Sequence, residues 1–204
     1  MVRTALKDSP TKRRLLDAAQ QLMLANGFGA TTLEEMCDKA QVTKGGFFHY
    51  FDSKEALGKE LLQRFCAQGQ QLHASFCGRE QDPLKRVFNY IDGAAAIAKD
   101  PVLSKGCLLG TFAQELSDSM PGIRQVCAKG FCEWKEQFAK ELALAKARYA
   151  PRASFRPEEL AEHLIVILEG SLILGKAQRD RRVVERNLKH FTRYLKTLFG
   201  TKEK

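Results

Sequence analysis

Apolar residues recur at helical spacing along most of the 204-residue chain. In the first such stripe Leu15, Ala19 and Met23 share one face, and the stripe ends near Gly27, a residue type common at helix C-caps. Alternating runs of Val, Ile and Thr, which would indicate strands, are nearly absent. Good helix formers such as Leu, Ala, Lys, Glu, Gln and Arg dominate instead. The sequence therefore predicts an all-α protein with about nine helices.

Capping signals divide the N-terminal part of the chain into short helices. Thr32 is followed three residues later by Glu35, a capping box that predicts the start of a second helix. Thr43 is a suitable cap for a third helix, and the residues between the two helices form a tight turn. Asp52 begins another capping-box pattern, which predicts a long fourth helix. Two short helices joined by a tight turn indicate a helix-turn-helix, here at about residues 32–51.

Two domains are predicted from this pattern. Residues 9–69 would form the helix-turn-helix domain, and residues 70–200 a second helical domain with longer apolar faces. Neither part shows an internal repeat or a low-complexity segment, so both are expected to fold as ordinary packed helices.

Positive charge is concentrated near the two ends of a chain whose formal net charge is +9. Basic residues greatly outnumber acidic ones in residues 1–14 and again in residues 179–204. A basic arm at the start suits a polyanion such as DNA. If charge is the only evidence, a solvated terminus that binds nothing explains the basic residues equally well.

No secretory signal precedes the first helix, and we therefore expect a cytoplasmic protein. The most apolar window, residues 163–175, is too short to span a bilayer and contains Glu169. No membrane association is predicted.

The six cysteines show neither a C-x-x-C pair nor zinc-finger spacing, and they are expected to be reduced thiols, mostly in the core. His73 and Cys77 stand four positions apart and could bind a metal, but no further ligands lie nearby in the sequence. We also find no catalytic triad, paired catalytic carboxylates or phosphate-binding loop. The sequence predicts no catalytic residue, no metal and no cofactor, and an enzyme is not indicated.

The stretch "GFGATTLEEMCDKAQVTKGGFFHYFDSKEAL" resembles the DNA-binding domain of the TetR/AcrR family of transcriptional regulators. The resemblance covers residues 9–69 strongly, and the rest of the chain mainly in the number, length and order of its helices. Matching positions include Gly27-Phe28, Thr31-Thr32, Ala40, Val42, Gly45, Tyr50-Phe51, Lys54 and Leu57. The resemblance implies a dimeric transcriptional repressor that binds a palindromic operator on double-stranded DNA. An unknown small-molecule or thiol-reactive effector would release it from the DNA.

The recognition helix is expected to begin at Thr43 and Lys44, whose backbone N–H groups favour phosphate. Two glycines follow, which would let the backbone approach the major groove, and polar side chains behind them could bind phosphates or base edges. The resemblance implies that Phe47 points towards bases, with core packing as the alternative. The predicted DNA contacts are Thr32, Thr43, Lys44, Gly45, Gly46, Phe47, His49, Tyr50 and Lys54.

Two positions depart from the usual pattern of the family. Gln41 stands in the turn where a glycine is usual, and it would carry a small cost if its φ is positive. Phe48 stands where a tyrosine is common. It lacks the tyrosine hydroxyl, which donates a hydrogen bond to a phosphate in the family. DNA affinity would then depend more on Lys44, Tyr50, Lys54 and the basic arm.

The resemblance implies that residues 70–200 form a ligand-binding and dimerisation domain. Its last two helices would pack against their twins as a four-helix bundle. Their apolar residues are spaced like a coiled-coil seam, with an ordinary intrachain core face as the alternative. The predicted interface residues are Leu164, Leu168, Leu172, Val184, Leu188, Phe191 and Leu195. An effector pocket between the middle helices is predicted to use Phe88, Ile91, Phe112, Trp134, Phe138 and Leu168.

Cys107 is a further candidate effector residue. The segment "KGCLLG" places this thiol at the start of a short helix after Lys105, and a helix N-terminus with nearby cations lowers a thiol's pKa. The motif is similar to a TetR subgroup that includes repressors responding to electrophiles or oxidants, and there a lysine matching Lys176 lies near the cysteine. The alternative is that Cys107 is a buried small residue at the helix start.

The alternative function is a TetR-like protein that binds DNA weakly and acts through protein partners.

Overall fold

The computed structural model describes residues 9–99 and 106–201. Within these residues the regular elements are nine α-helices, so the all-α prediction is confirmed. They are α1 Pro10–Asn26, α2 Leu33–Ala40, α3 Lys44–Tyr50, α4 Lys54–Cys77, α5 Pro83–Lys99, α6 Leu108–Leu116, α7 Pro121–Tyr149, α8 Pro157–Gln178 and α9 Arg182–Leu198. No helix of the described ranges is both long and apolar enough to cross a membrane.

Helix starts in the N-terminal part follow the predicted caps, with one exception. The Thr32 hydroxyl accepts the Glu35 N–H at 3.1 Å, and the Glu35 carboxylate accepts the Thr32 N–H at 2.7 Å. Thr43 likewise caps α3 by accepting the Gly46 N–H. The prediction for Asp52 was wrong, because Ser53 caps α4 by accepting the Ala56 N–H at 3.0 Å. Serine is as good a cap as aspartate, and the capping-box spacing from Asp52 to Glu55 favoured the wrong one of the two neighbours.

Gln41, which ends α2, adopts the left-handed conformation with φ 54° and ψ 50°. The condition under which Gln41 carries a small cost, a positive φ, is therefore met. A side chain in this region costs roughly 1 kcal/mol relative to glycine, since its Cβ approaches the following carbonyl. The turn keeps its geometry because the Val42 N–H donates to the Cys37 carbonyl at 2.9 Å.

Packing divides the chain into two units. The first contains the described residues of 1–66 together with 107–130, and the second contains those of 67–106 and 131–204. The predicted limit between residues 69 and 70 lies near the first division. Residues 107–130, however, pack with the N-terminal helices, although the predicted domains placed them in the second part of the chain. The order of the helices in the sequence did not indicate that residues 107–130 pack with the N-terminal helices.

The first unit has a core built around α1, which packs on α2 and on α6, while α2 packs on α3. Its core side chains come from both segments of the chain, and many of them are fully buried. They include Leu15, Met23, Met36, Phe47, Leu57, Leu61, Leu108, Phe112 and Ile123. This core fixes the position of the α2–α3 pair, which carries the candidate interface.

The second unit is built on α9, which packs on α8 and α5. Its hydrophobic core also takes side chains from α7, including Phe138 and Leu142. From α8 and α9 the core members are Leu160, Ala161, Leu164, Leu168, Val184, Leu188, Phe191 and Leu195. The apolar stripes of α8 and α9 are therefore buried within one protomer.

Candidate nucleic-acid interface

Helix α3 has one buried side and one exposed side. Phe47 is 0% exposed, and its ring lies 5.6 Å from that of Phe51, which is also buried. Lys44, Phe48 and His49 are exposed on the opposite side, together with Gly45. These four positions lie at i, i+1, i+4 and i+5, so they share one face of the helix. We call them the α3 exposed face.

The prediction that Phe47 points towards bases was wrong, and the neighbouring Phe48 takes the exposed position. Phe48 is 51% exposed, and its ring meets the edge of Phe47 with the centroids 5.3 Å apart. Since adjacent residues on a helix differ by about 100° in direction, only one of the two rings can enter the core. The two aromatic residues stand side by side in the sequence, and their spacing offers no means to choose between them.

The two glycines of α3 serve different purposes. A Cβ at Gly45 would meet only the Thr43 Oγ1, at 4.0 Å. A Cβ at Gly46 would lie 2.7 Å from Cγ1 of Val42, so Gly46 is needed for packing inside the unit. Packing within the described residues gives no reason for glycine at Gly45, which leaves an opening next to Phe48 on the exposed face.

Thr32 and Lys44, both predicted DNA contacts, are exposed but carry partners on α2. The Thr32 hydroxyl donates to Glu35 at 2.9 Å, and the hydrogen bonds from Thr32 lower the pKa of Glu35. The Lys44 ammonium pairs with Glu34 at 3.0 Å. Exposed ion pairs of this kind contribute little to stability, so a phosphate could replace Glu34 at small cost.

His49 and Tyr50 lie at the C-terminal end of α3, with their rings in an edge contact 4.9 Å apart. His49 is exposed and Tyr50 is half-buried. Both remain predicted phosphate or base contacts, and His49 belongs to the α3 exposed face.

Lys54, another predicted phosphate contact, instead has partners inside the first unit. Its ammonium donates to the Gly29 carbonyl at 3.3 Å and lies 4.4 Å from the centre of the Phe28 ring. Burial lowers the pKa of Lys54, and the negative charge of Glu115 partly offsets that effect. The structure thus gives Lys54 a role in holding the loop between α1 and α2.

Only part of the predicted basic arm is described. Arg3 and Lys7 of this arm lie outside the described residues. Lys105, which precedes Cys107 in the sequence, also lies outside them. Lys12 pairs with Glu60 at 2.6 Å and lies over the Phe51 ring, so its charge supports the fold of the first unit. Arg14 is exposed on α1.

The predicted effector residues are distributed between the two units. Phe112 is fully buried in the first unit, where its ring meets Phe28 edge-on at 5.4 Å. In the second unit the Trp134 Nε1–H donates to the Tyr90 hydroxyl at 2.6 Å, and the Tyr90 ring lies 4.9 Å from Phe138. Tyr90 was missed, because nothing in the sequence marks it as a partner of Trp134. The remaining predicted residues of the second unit are Phe88, Ile91, Leu168 and Lys176, of which Ile91 and Leu168 are core and Lys176 is exposed.

Cys107 occupies the predicted place at the start of a helix. It is the N-cap of α6, its side chain makes no capping hydrogen bond, and it is 8% exposed. Its carbonyl accepts the Thr111 hydroxyl at 2.9 Å. The thiol therefore lies near the positive end of α6 but is largely covered.

The predicted dimer seam was wrong for the residues that fill the core of the second unit. Leu164, Leu168, Val184, Leu188, Phe191 and Leu195 are buried within one protomer, and Leu172 packs against the same core. A partner cannot contact side chains that already lack accessible surface. Coiled-coil-like spacing describes helix–helix packing of either kind, and here it reflects packing of α8 and α9 within the chain.

His73 and Cys77 form a buried contact with 3.8 Å between Nε2 and Sγ. Burial raises the pKa of Cys77 to about 11, so the thiol stays protonated. Across the described ranges, no group of three or more His, Cys, Asp or Glu side chains could hold a metal. The pair is part of the core of the second unit.

The short α2–α3 pair and the exposed face of α3 define a helix-turn-helix protein that binds DNA. The model of the family described as "Bacterial regulatory proteins, tetR family" matches residues 15–61. The model described as "Tetracyclin repressor-like, C-terminal domain" matches residues 83–191. The chain belongs to the TetR family of transcriptional regulators, which confirms the resemblance and the interpretation as a regulator rather than an enzyme.

Relatives support this assignment over nearly the whole chain. The transcriptional repressor DhaR of Mycobacterium sp. (strain GP1) is 28% identical over 181 residues, or 88% of this chain and 89% of DhaR. The transcriptional repressor NemR of Escherichia coli (strain K12) is 27% identical over 188 residues, or 92% of this chain and 94% of NemR. The crystal structure of E. coli NemR in its reduced form gives a TM-score of 0.79 and covers 90% of this chain and 95% of that chain.

Proposed function

We propose that this regulator is a repressor that binds a palindromic operator as a homodimer and leaves it when an effector acts. The α3 exposed face carries the proposal, because it offers a cation, an open glycine and an aromatic ring on a helix anchored by Phe47. Both DhaR and NemR are named repressors. We propose a cytoplasmic location, because the DNA that such a regulator binds lies in the cytoplasm.

A mobility-shift assay on DNA flanking the gene tests DNA binding. We expect binding that is specific for a palindrome and weakens as salt rises, since phosphate contacts release counterions. The double variant Lys44→Ala, Tyr50→Phe should lose affinity and stay folded, because Lys44 is exposed and Tyr50 keeps its ring. If the wild type binds no such DNA while the fold is intact, the alternative of a regulator that acts through protein partners gains support.

An exposed apolar stripe on α8 is the surface we propose for the homodimer. Val166 is 63% exposed, and Ile173 and Leu174 are about half exposed. Gly170 lies between them, and a Cβ there would meet nothing within 4 Å. These positions follow each other at helical spacing on one side of α8. The exposed ring of Tyr194 on α9 extends this surface, because it contacts the ring of His163 on α8. Apolar patches of this kind mark interaction sites, and the open glycine allows close helix approach.

Replacing Val166 and Leu174 together by Lys is expected to convert the dimer to monomers. Two ammonium groups buried at an interface would weaken association by at least about 100-fold, because each loses its hydration. Sedimentation velocity measures the change. Leu144→Lys is the matched control, since Leu144 is similarly exposed, at 53%, but lies on α7. A double variant that remains dimeric, or a control that dissociates, would show that the interface lies elsewhere.

We propose Cys107 as the site where a thiol-reactive effector acts. Cys107 is the N-cap of the nine-residue helix α6, and helix N-termini are places where reactive cysteines occur in proteins. Cys107 lies in the first unit and Lys176 in the second. The aromatic residues around Trp134 are proposed to contact a small-molecule effector, and fluorescence of this sole tryptophan would report such binding.

Alkylation of Cys107 by N-ethylmaleimide is expected to release DNA from the wild type, while Cys107→Ser keeps its DNA under the same treatment. Mass spectrometry of the digested protein gives the modified positions. Cys132→Ser is the control, because Cys132 is the exposed thiol, and a hydrogen bond to Glu136 raises its pKa. Equal release from wild type and Cys107→Ser would exclude Cys107 as the sensor.

A further inference from the structure

The loop between α1 and α2 is held by a carboxylate from a distant part of the chain. Glu115, in the last turn of α6, accepts the Phe28 N–H on Oε2 at 2.7 Å. Its Oε1 accepts the Gly29 N–H at 2.5 Å. Each carboxylate oxygen therefore binds one of two consecutive backbone amides. Hydrogen bonds to an ionised acceptor are stronger than those between neutral groups.

The glycines of this loop make room for the carboxylate. A Cβ at Gly29 would lie 2.9 Å from Oε1 of Glu115, and one at Gly27 would lie 2.8 Å from Oε2. Gly27 also has φ 89°, which by itself favours glycine. Gly29 lacks a positive φ, and Glu115 is the contact its Cβ would meet within 4 Å. A side chain at position 29 would therefore have to displace the carboxylate end of Glu115.

Lys54 holds the opposite side of the same loop. Its ammonium donates to the Gly29 carbonyl and covers the Phe28 ring. The Thr31 hydroxyl, fully buried, donates to the Gly27 carbonyl at 2.7 Å. The loop is therefore fixed through both its N–H and its C=O groups. It ends at Thr32, the cap of α2.

We propose that Glu115 is a positioning residue for DNA recognition: it fixes the loop that starts α2 and so places the α2–α3 pair on the operator. The proposal rests on the proposed DNA binding. Glu115 itself carries negative charge and would repel phosphate, so its contribution is geometric. Removing it leaves the Phe28 and Gly29 amides without their acceptor and loosens the start of α2.

The sign of the effect separates positioning from simple electrostatics. Glu115→Ala removes an anion from a DNA-binding protein, and charge alone would raise operator affinity. Positioning predicts the reverse, a loss of about tenfold, since two charge-assisted hydrogen bonds disappear. The salt dependence of binding should keep its slope, because no phosphate contact is removed. Gln114→Ala is the control, an exposed neighbour on the same helix.

A double-mutant cycle between Gly29→Ala and Glu115→Ala tests the contact directly. Gly29→Ala should weaken operator binding in the wild type, where the new Cβ meets the carboxylate. In the Glu115→Ala background it should have little further effect, so the two changes are not additive. Additive losses, or unchanged or higher affinity of a folded Glu115→Ala variant, would overturn the proposal.

Hydrogen exchange of the Phe28 and Gly29 amides supplies a readout that does not need DNA. Faster exchange at these two amides in Glu115→Ala, with the rest of α1 unchanged, is the expected result. Unchanged exchange would overturn the contact even if DNA binding fell. Absence of DNA binding in the wild type would refute the regulatory function itself and with it the role of Glu115 in recognition.

Discussion

Gly45→Leu is expected to abolish operator binding in a protein that is at least as stable as the wild type. Gly45 lies on the α3 exposed face, where an added Cβ meets only the Thr43 Oγ1 at 4.0 Å. Leucine forms helices better than glycine, so the free energy of unfolding should rise by about 0.5 kcal/mol. The same side chain would stand between α3 and the major groove, and we expect at least about 100-fold weaker binding.

Gly69→Leu is the matched control for this experiment. Gly69 is an exposed glycine within α4, and an added Cβ there meets nothing within 4 Å. It should stabilise the fold in the same way and leave operator affinity unchanged. Chemical denaturation and fluorescence anisotropy with labelled operator DNA measure the two effects. Normal DNA binding by Gly45→Leu would show that the α3 exposed face does not enter the groove.

Local features of the structure could be predicted because their causes are local. Thr32 and Thr43 cap helices through hydrogen bonds to residues three positions later, and such bonds depend on the sequence nearby. The sign of φ at Gln41 was left open by the sequence, and the structure gives it a left-handed conformation at the end of α2. Asp52 failed for a related reason, since the neighbouring Ser53 has the same capping chemistry.

Features that depend on distant partners were missed or misassigned. Glu115 reaches Phe28 across 87 positions of sequence, and no spacing rule connects them. The seam of Leu188, Phe191 and Leu195 has the spacing of a helix interface, but the spacing does not say which helix lies opposite. The fold and the location of the recognition helix followed from the sequence, whereas the direction of its side chains required the packed core.

Phe47→Ala is expected to lower the free energy of unfolding by about 3–5 kcal/mol, the usual cost of removing a fully buried phenylalanine. The Phe47 ring is 0% exposed and contacts Phe51, so the deletion leaves a cavity in the core that carries α3. Such a loss is a large part of the total stability of a domain of this size. Urea denaturation followed by circular dichroism measures it.

Phe48→Ala is the matched partner, with the same chemical change one position later. Because Phe48 is half exposed and keeps one edge contact with Phe47, its loss should lower the free energy of unfolding by no more than about 1.5 kcal/mol. Its effect should appear in DNA binding instead, since an aromatic ring on the α3 exposed face can contact a thymine methyl group. Replacing operator thymines by uracil should then weaken binding of the wild type and leave Phe48→Ala unaffected. If Phe48→Ala unfolds the protein and Phe47→Ala does not, then Phe48 rather than Phe47 is the ring that anchors α3 in the core.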